Sequence, residues 1–371
     1  MIVKTEKFQK VCTKILKAVD SNPLSEITET LELIGEDDTL YMNITNRDYY
    51  VSSRIELDDS VDEFRAAVNA SQFLKLICQV TTEAVELTAE ETYLKVKANG
   101  VYRIPMIFND DELLSLPVIT IENVTNEFDV PTNIFKDILK YNSKELLKRS
   151  CQTEVQRLYY VDEEGCVTFS SGACVTEFNL PKKVKLLLSD KIVKLTSLFK
   201  GDKIVFTIGQ DIVGKDIVQT KVRFADEDIR ITAILVSNDR LISRVPATGI
   251  RKRAFDEYNY NVVVPVKEML SAINRLLVFK DRLSVKAYAK FDFTSNGISI
   301  IDLVSENVEK VNYCNDCKML EEYTACVDVL DVKAILDTCS EEYINIKFGN
   351  KSAVVLARGN ISNVIPEAIN D

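Results

Sequence analysis

The sequence predicts an α+β protein built from six similar units, each with one helix and several strands, two units to a domain. Three observations support this prediction. An amphipathic helix with a lysine-rich polar face recurs three times. A second kind of helix recurs between these copies, and short alternating strands fill the intervals. Because 371 residues exceed what one core accommodates, we expect three domains, at residues 1–125, 126–250 and 251–371.

The first kind of helix is predicted near residues 8–19, 132–143 and 265–277. Its apolar side chains follow the i, i+3, i+4, i+7 spacing of one helix face. In the first copy these side chains are Phe8, Val11, Cys12, Ile15 and Val19. The opposite faces carry Lys10, Lys14 and Lys17, then Lys136, Lys140 and Ser143, then Lys267, Ser271 and Asn274. The repetition of basic residues in a chain of net charge −11 indicates a surface that meets phosphate.

The second kind of helix contains Phe73, Val193 and Ile335, which lie about 120 to 140 residues apart, the size of one domain. Ser189 and Asp331 are the predicted N-caps of the second and third copies, since their side chains accept backbone amide hydrogen bonds. These helices add further positive charge at Lys75, Lys191, Lys194 and Lys333.

Strands are predicted between the helices, where β-branched and aromatic residues alternate with polar ones. The clearest are 84–88, 93–97, 203–209, 219–224 and 343–348. Turn clusters at residues 35–38, 162–165 and 295–297 separate such segments. The short spacing favours antiparallel hairpins, because a parallel pair needs a crossover of a dozen or more residues.

Composition restricts the possible functions. The chain has no histidine, which excludes Ser-His and Cys-His nucleophilic sites and histidine general bases. Nine scattered cysteines fit a reducing compartment. No apolar run approaches 18 residues, and the first ten residues lack the apolar region of a signal peptide. We therefore expect a cytoplasmic protein that does not enter a membrane.

Two basic segments resemble functional motifs. Residues 209–215 match the start of a phosphate-binding loop, GxxxxGK, but Asp216 stands where Ser or Thr should bind magnesium. The segment also leads into a strand rather than a helix, so we predict a hairpin loop. Residues 248–253 end in Arg-Lys-Arg, which could be an address signal or a nucleic-acid contact, but we interpret them as a solvated linker between the second and third domains.

Two further patterns suggest metal ligands. Cys314 and Cys317 have zinc-ligand spacing, but a Cys₄ site needs a second close pair, so we predict a turn between strands, with a labile zinc or redox pair as the alternative. The acidic pairs 37–38, 58–59 and 110–111 are interpreted as solvated turns. No metal or other cofactor is predicted.

Taken together, the chain resembles the DNA polymerase III beta subunit, the bacterial or phage sliding clamp. The residues that carry the resemblance are 8–19, 68–102, 128–141, 155–175, 262–277 and 363–366. It implies three tandem DNA-clamp domains that form a ring in a head-to-tail homodimer, with sheets outside and helices lining the pore. A clamp tethers DNA polymerase to duplex DNA and has no catalytic residues.

The resemblance also implies particular sites. The pore would be lined by the basic residues Lys10, Lys14, Lys17, Lys75, Lys136, Lys140, Lys191, Lys194, Lys267 and Lys333. A pocket for the clamp-binding peptides of polymerases, the clamp loader and other clamp-motif proteins would contain Val155, Ser170, Gly172, Val175, Ile242, Val245, Val364, Ile365 and Pro366. Within this segment Ala173 and Cys174 replace a His-Arg pair of the family. An apolar knob at Leu277, Val278 and Phe279 would contact the partner subunit.

Two other functions are consistent with the residues alone. One is a carboxylate- or metal-dependent enzyme acting on nucleic acid or nucleotides, in which Lys215 would act. The other is a β-rich scaffold protein that does not bind DNA. The lack of histidine and of a convergent acidic set argues against the enzyme, and the repeated lysines argue against the scaffold.

Overall fold

The computed structural model describes residues 1–19, 25–146, 153–212, 218–236, 239–256, 258–279, 287–349 and 352–368, except for the side chain of Asp62. By its packing the chain divides into two compact units. Unit 1 comprises Met1–Asn133 and Lys191–Asn238, and unit 2 comprises Ile134–Asp190 and Asp239–Asp371. No helix in the described ranges is long and apolar enough to cross a membrane.

Most described residues outside loops lie in strands. The strands, in chain order, are β1 Ile2–Lys4, β2 Thr30–Thr45, β3 Tyr49–Asn69, β4 Ala84–Ala89, β5 Tyr93–Lys97, β6 Val101–Pro105, β7 Phe108–Asn109, β8 Glu112–Leu113, β9 Val124–Pro131, β10 Leu158–Asp162, β11 Gly165–Phe169, β12 Ala173–Glu177, β13 Lys185–Ser189, β14 Lys203–Ile212, β15 Val218–Ala225, β16 Ile229–Ile234, β17 Tyr260–Pro265, β18 Tyr288–Phe293, β19 Gly297–Asp302, β20 Val308–Asn312, β21 Tyr323–Asp328, β22 Tyr343–Phe348, β23 Ala353–Arg358 and β24 Ile361–Pro366.

The helices are fewer than the strands among the described residues. They are α1 Thr5–Leu16, α2 Glu26–Glu29, α3 Ala70–Cys78, α4 Thr132–Asp137, α5 Ser143–Leu146, α6 Asp190–Leu195, α7 Asp239–Ile242, α8 Ala247–Phe255, α9 Val266–Leu277 and α10 Val329–Leu336. A π-helical turn, Ile138–Asn142, joins α4 to α5, and 3₁₀ turns occupy Glu154–Arg157 and Thr196–Leu198. The six predicted helices are confirmed as α1, α3, α4 with its π-helical extension, α6, α9 and α10.

Unit 1 contains a four-stranded sheet in the order β1-β4-β5-β6 and a six-stranded sheet in the order β2-β3-β16-β15-β14-β9. Unit 2 contains an eight-stranded sheet, β13-β10-β11-β12-β24-β23-β22-β17, and a four-stranded sheet, β20-β19-β18-β21. The described pairs in these sheets are antiparallel, as predicted. Because β3 pairs with β16 and β12 with β24, each large sheet includes strands from two predicted domains. The boundaries near residues 125 and 250 stay predictions.

Each repeated helix buries one apolar face, as the sequence pattern predicts. In unit 1 the rings of Phe8 and Phe73 lie 5.8 Å apart and join α1 to α3. The side chain of Gln9 strengthens this contact by donating to the carbonyls of Ile77 (3.0 Å) and Val80 (2.7 Å) at the end of α3. In unit 2, α9 and α10 pack on a core in which the stacked rings of Phe293 and Phe348 lie 3.8 Å apart.

The structure contradicts several predictions of local structure. Residues 35–38 are not a turn but part of β2, because shifts in the β2–β3 register accommodate Asp37 at a positive φ of 52° within a long hairpin. Asp331 does not cap α10, since the helix begins earlier. The Asp328 carboxylate accepts the amide of Leu330 (3.0 Å), and Asp331 lies in the first turn. Ser189 immediately precedes α6, and its role as the N-cap stays a prediction.

The segments that resemble motifs are also placed. Gly209 lies within β14, and Ile212 pairs with Val218 of β15, which confirms a hairpin; Gly214, Lys215 and Asp216 lie outside the described residues. The predicted linker at 248–253 was wrong, because these residues belong to helix α8. Ala247 and Ala254 bury that helix against the core of unit 2.

Candidate functional site

The predicted basic face of unit 1 is exposed at most of its positions. Lys10 and Lys17 on or directly after α1, Lys75 on α3 and Lys194 on α6 are exposed. These positions follow from the amphipathic pattern, since each helix buries its apolar side chains against a sheet or a neighbouring helix. The ammonium groups of Lys10, Lys17 and Lys75 can meet a phosphate without a change of conformation.

Lys14 differs from this prediction. Only 6% of its side chain is exposed, and its Nζ lies 3.7 Å from the Asp228 carboxylate. The position explains the burial, because Lys14 lies one turn from both Val11 and Ala18 and thus at the margin of the buried helix face. Its ammonium is paired within the unit, so Lys14 is less available to a phosphate than the exposed Lys10.

Lys191 is also partly withdrawn from solvent. Its Nζ lies 5.1 Å from the centroid of the Tyr49 ring, and the ring of Tyr49 is held in place by a 2.6 Å hydrogen bond from its hydroxyl to the carbonyl of Ala18. This cation–π contact stabilises the charge.

Unit 2 carries the remaining predicted lysines. Lys136, Lys140 and Lys267 are exposed. The ammonium of Lys140 donates to the hydroxyl of Tyr141 at 2.9 Å, which orients it, and Lys333 forms a 2.7 Å ion pair with Asp337 one turn later on or after α10. Of the predicted lysines in unit 2, Lys136 and Lys267 are therefore the most available to an anion, while Tyr141 holds the Lys140 ammonium at 2.9 Å and Asp337 holds Lys333.

A cavity of about 300 Å³ opens on the surface of unit 2. It brings together four of the residues predicted for the peptide pocket, namely Ser170, Gly172, Val364 and Pro366. Beneath them Val155 and Val175 are buried in an apolar cluster, against which Ile242 and Val245 also pack. The structure therefore assembles eight of the nine predicted pocket residues in or directly below one depression.

Ile365 does not belong to this assembly. Side chains alternate between the two faces of a strand, so that Val364 faces the cavity and Ile365 faces the core formed by α9 and α10. The same alternation separates the two residues that replace the family's His-Arg pair. Ala173 lines the cavity, whereas Cys174 is fully buried on the opposite face, where burial raises the pKa of its thiol to about 12.

The cavity floor depends on one glycine. A Cβ on Gly172 would lie 2.6 Å from the carbonyl oxygen of Val364, so only glycine allows β24 to approach this closely. The turn is completed by a 2.8 Å hydrogen bond from the amide of Ser170 to the carbonyl of Gly172, and the Ser170 hydroxyl donates to the buried carboxylate of Glu145 at 2.8 Å. The floor is therefore preformed.

Helix α8 forms the other wall of the cavity. Its residues Gly249, Ile250 and Arg253, the preceding Pro246, and Phe169 of β11 also line the cavity. None of these residues was predicted to belong to the pocket. The signal was present, because Ala247, Ile250 and Ala254 have the i, i+3, i+7 spacing of an apolar helix face. The adjacent Arg-Lys-Arg run favoured the interpretation of this segment as a solvated linker instead.

Arg251 fixes α8 to the sheet. Its guanidinium makes two hydrogen bonds to the Asp162 carboxylate, at 2.6 and 2.7 Å, and one of 3.2 Å to Glu164. Burial opposes the charge of Arg251, but the hydrogen bonds and charge of Asp162 outweigh that penalty and raise the pKa of the guanidinium above its usual value. Only 15% of the Arg251 side chain and 7% of that of Asp162 are exposed.

The predicted knob after α9 is mostly exposed. Val278 and Phe279 expose 76% and 67% of their surface, whereas Leu277 is half-buried and packs on the core of unit 2. β6 in unit 1 and β20 in unit 2 are edge strands of the two four-stranded sheets. These edges carry exposed apolar side chains, including Val101 and Val308.

Cys314 and Cys317 lie between β20 and β21 with free thiols, as predicted for a turn between strands. The amide of Cys314 donates to the carbonyl of Val263 at 2.8 Å, and the Asn315 side chain accepts the amide of Val263 at 2.7 Å. The turn is therefore held against β17 by hydrogen bonds. Among the described residues no group of three His, Cys, Asp or Glu side chains is arranged to hold a metal ion.

Comparison with known proteins identifies the fold. Residues 1–144 match the family model of the DNA polymerase III beta subunit, N-terminal domain. The chain is similar to the solved DNA polymerase sliding clamp from Bacillus subtilis, with 14% identity, a TM-score of 0.80, and 100% and 99% coverage of the two chains.

It is also similar to the DNA polymerase III beta subunit from Thermotoga maritima (16% identity, TM-score 0.79, coverage 100% and 99%). The corresponding values for the DNA polymerase III subunit beta from Pseudomonas aeruginosa are 13%, 0.81, 100% and 100%. No curated protein sequence matches the chain. The predicted resemblance is thus confirmed: the first 144 residues match the DNA polymerase III beta subunit, and the whole chain has the α+β fold of the sliding clamps.

Proposed function

We propose that this protein is a DNA sliding clamp, which encircles duplex DNA and tethers a DNA polymerase for processive synthesis. The observation that carries the proposal is that the sliding-clamp fold extends over the entire chain. The protein would act without catalysis or a cofactor, in the cytoplasm. Retention on DNA would come from enclosure rather than from strong binding, which is compatible with a net charge of −11.

The exposed lysines on the repeated helices would contact the DNA. Lysine side chains bind phosphates without reading bases, and such binding weakens as salt concentration rises. Lys10, Lys17 and Lys75 in unit 1 and Lys136, Lys140 and Lys267 in unit 2 are exposed enough to do so. Lys14, Lys191 and Lys333 already have partners, so we expect them to contribute less.

We further propose that two copies associate head to tail through the edges of the two four-stranded sheets. The β6 edge of one copy would pair with the β20 edge of the other, which would satisfy unpaired backbone groups and cover exposed apolar residues. Val278 and Phe279 would add apolar contacts at the same junction. The expected product is a dimer of about twice the 42.0 kDa chain mass.

The cavity in unit 2 would bind the docking peptides of polymerases, the clamp loader and other partners. Its floor is preformed and combines apolar side chains with Ser170 and Ser171, and its volume of about 300 Å³ suits one or two large apolar side chains. Small preformed pockets of this type bind extended segments with little ordering cost in the receptor.

The proposal is tested by measuring retention on DNA circles. The protein is loaded onto nicked circular DNA and filtered before and after linearisation of the circle. A clamp stays with circles and dissociates from linear DNA, so equal retention on both, together with a monomeric mass, would contradict the proposal.

The lysine contacts require a second measurement. Binding to a linear duplex is measured across a salt series for Lys10→Glu/Lys136→Glu and for a control with the same charge change, Lys182→Glu/Lys183→Glu, at exposed positions outside the helices. Each lost phosphate contact should lower the salt slope by about 0.9. A slope that falls equally in both variants would indicate a general charge effect instead.

A further inference from the structure

The π-helical turn between α4 and α5 carries two adjacent polar groups. The ammonium of Lys140 donates to the hydroxyl of Tyr141 at 2.9 Å and lies 4.6 Å from the centroid of the Tyr141 ring. π-Helical turns are rare, and single turns of this kind inside helices occur frequently at functional sites. Lys140 and Tyr141 therefore form a donor pair whose possible ligand can be examined.

The hydrogen-bonding capacity of this pair is only partly used. A tyrosine hydroxyl can accept one hydrogen bond and donate another, and an ammonium group has several donors. Within the described part of the chain, no acceptor takes the hydroxyl hydrogen of Tyr141, and no carboxylate pairs with Lys140. Because Lys140 is exposed, an anion that reaches its ammonium also meets a second donor 2.9 Å away.

The next residue, Asn142, fastens the π-helical turn to the sheet. Its side-chain amide donates to the hydroxyl of Thr168 at 3.2 Å and to the carbonyl of Cys174 at 3.1 Å. Its side-chain oxygen accepts the hydroxyl of Thr176 at 2.7 Å. Asn142 is fully buried, so the turn is fixed before a ligand arrives. Such preorganisation lowers the cost of ordering the donors on binding.

Arg358, at the end of β23, holds the Tyr141 ring in place. The central carbon of its guanidinium lies 4.9 Å from the centroid of that ring. The same guanidinium donates to the hydroxyl of Thr338 at 2.9 Å and to the side-chain oxygen of Asn363 at 3.4 Å. Only 3% of Arg358 is exposed, and no carboxylate in the described ranges pairs with it. The ring face and two neutral acceptors therefore stabilise this buried charge.

We infer that Lys140 and Tyr141 together bind one phosphodiester group of duplex DNA, with Arg358 as a positioning residue that holds the Tyr141 ring. The inference rests on the proposed clamp function and adds to it a neutral contact that a search for basic residues does not identify. A phosphate suits the pair, because its oxygens can accept from an ammonium and a hydroxyl at the same time. Tyr141 is only 7% exposed, so its hydroxyl can meet a group at the protein surface but cannot reach into a DNA groove.

The hydroxyl contact is tested by fluorescence anisotropy with a labelled linear duplex across a salt series. Tyr141→Phe removes the hydroxyl and keeps the ring, and should weaken binding roughly three- to tenfold at low salt. The salt slope should stay unchanged, because a neutral hydroxyl releases no counterion, whereas Lys140→Met should lower the slope by about 0.9. The matched control Tyr343→Phe, at an exposed position on β22, should bind as the wild type does.

The role of Arg358 is tested by a double-mutant cycle. Arg358→Met should weaken DNA binding by about the same factor as Tyr141→Phe, and the double variant should bind no more weakly than Tyr141→Phe alone, because both changes act through one hydroxyl. Arg358→Lys keeps a cation near the ring and should retain most of the affinity. If Arg358→Met does not fold, Arg358→Lys and Tyr141→Phe still complete the comparison.

The possible outcomes separate this inference from the clamp function. Wild-type affinity in Tyr141→Phe would overturn the phosphate contact, and losses that multiply in the double variant would overturn the positioning role of Arg358. Calorimetric titration with inorganic phosphate covers the other source of this chemistry. If Tyr141→Phe weakens the binding of inorganic phosphate but not of DNA, the pair serves free phosphate and the inference is wrong. Failure of the clamp function would appear separately, as loss of retention of the wild type on circular DNA.

Discussion

Replacing Arg251 with methionine should destabilise the region of unit 2 where α8 meets β10. Methionine preserves much of the apolar stem of arginine and removes the guanidinium, which leaves the Asp162 carboxylate 7% exposed and without its cation. Removal of one partner from a buried ion pair costs about 3–5 kcal/mol. Asp162 keeps hydrogen bonds from the amides of Glu164 (3.0 Å) and Gly165 (3.2 Å), so we expect the lower end, about 3 kcal/mol.

A second substitution tests the cause of that loss. In the Arg251→Met background, Asp162→Asn removes the unpaired charge but keeps a carbonyl oxygen that can accept both amides. The double variant should therefore recover about half or more of the lost stability, since a neutral group is far cheaper to leave without a counterion. If the loss came only from disturbed packing, the second substitution would restore nothing.

Hydrogen exchange read by mass spectrometry suits this prediction, because a chain with two compact units need not unfold in one step. A loss of about 3 kcal/mol should accelerate exchange in peptides from β10 and α8 by about 100-fold, with little change in unit 1. Lys252→Met serves as the control on the same helix. Equal exchange rates in the single and double variants would refute the electrostatic explanation.

Three further changes have definite expected results. Phe293→Ala should lower the free energy of unfolding of unit 2 by about 4 kcal/mol in denaturant titrations, because it empties the space stacked against Phe348. Gly172→Ala should cost about 1–3 kcal/mol and abolish peptide binding, since its Cβ would meet the Val364 carbonyl at 2.6 Å; unchanged peptide affinity would contradict the preformed floor. Burial raises the pKa of Glu367 above 4.5, so its protonation favours the folded state. Protection of its segment from hydrogen exchange, corrected for intrinsic rates, should fall as pH rises through that raised pKa. Glu367→Gln should make the protection of this segment nearly independent of pH in the same range.

The parts of the fold that the sequence predicted are those with a strong local period. The helix faces of α1, α9 and α10 could be identified because apolar side chains recur every three or four residues on a buried face. The strands β4, β5, β14, β15 and β22 were equally clear, since hydrophobic and polar residues alternate along them. A local pattern of this kind needs no knowledge of what the element packs against.

The errors arose where a distant contact decides the outcome. Lys14 was predicted to be exposed, because its sequence neighbours do not reveal that Asp228 reaches it. Helix α8 was interpreted as a linker, because a run of three cations is usually solvated; its burial depends on Asp162, 89 positions away in the chain. Ile365 was assigned to the cavity from the family resemblance. Strand alternation shows which face of β24 it lies on only once the cores on the two sides of that strand are known.

The sequence by itself determined the repeat, the alternation of helices and hairpins, and the positions of most exposed lysines, because these properties depend on side-chain periodicity along the chain. The tertiary structure alone decided which charges remain available. Ion pairs and cation–π contacts form between residues far apart in sequence, and they neutralise Lys14 and Arg251 while Lys10 and Arg253 stay exposed. Such pairing depends on distances between charged groups, and those distances exist only after the sheets have assembled.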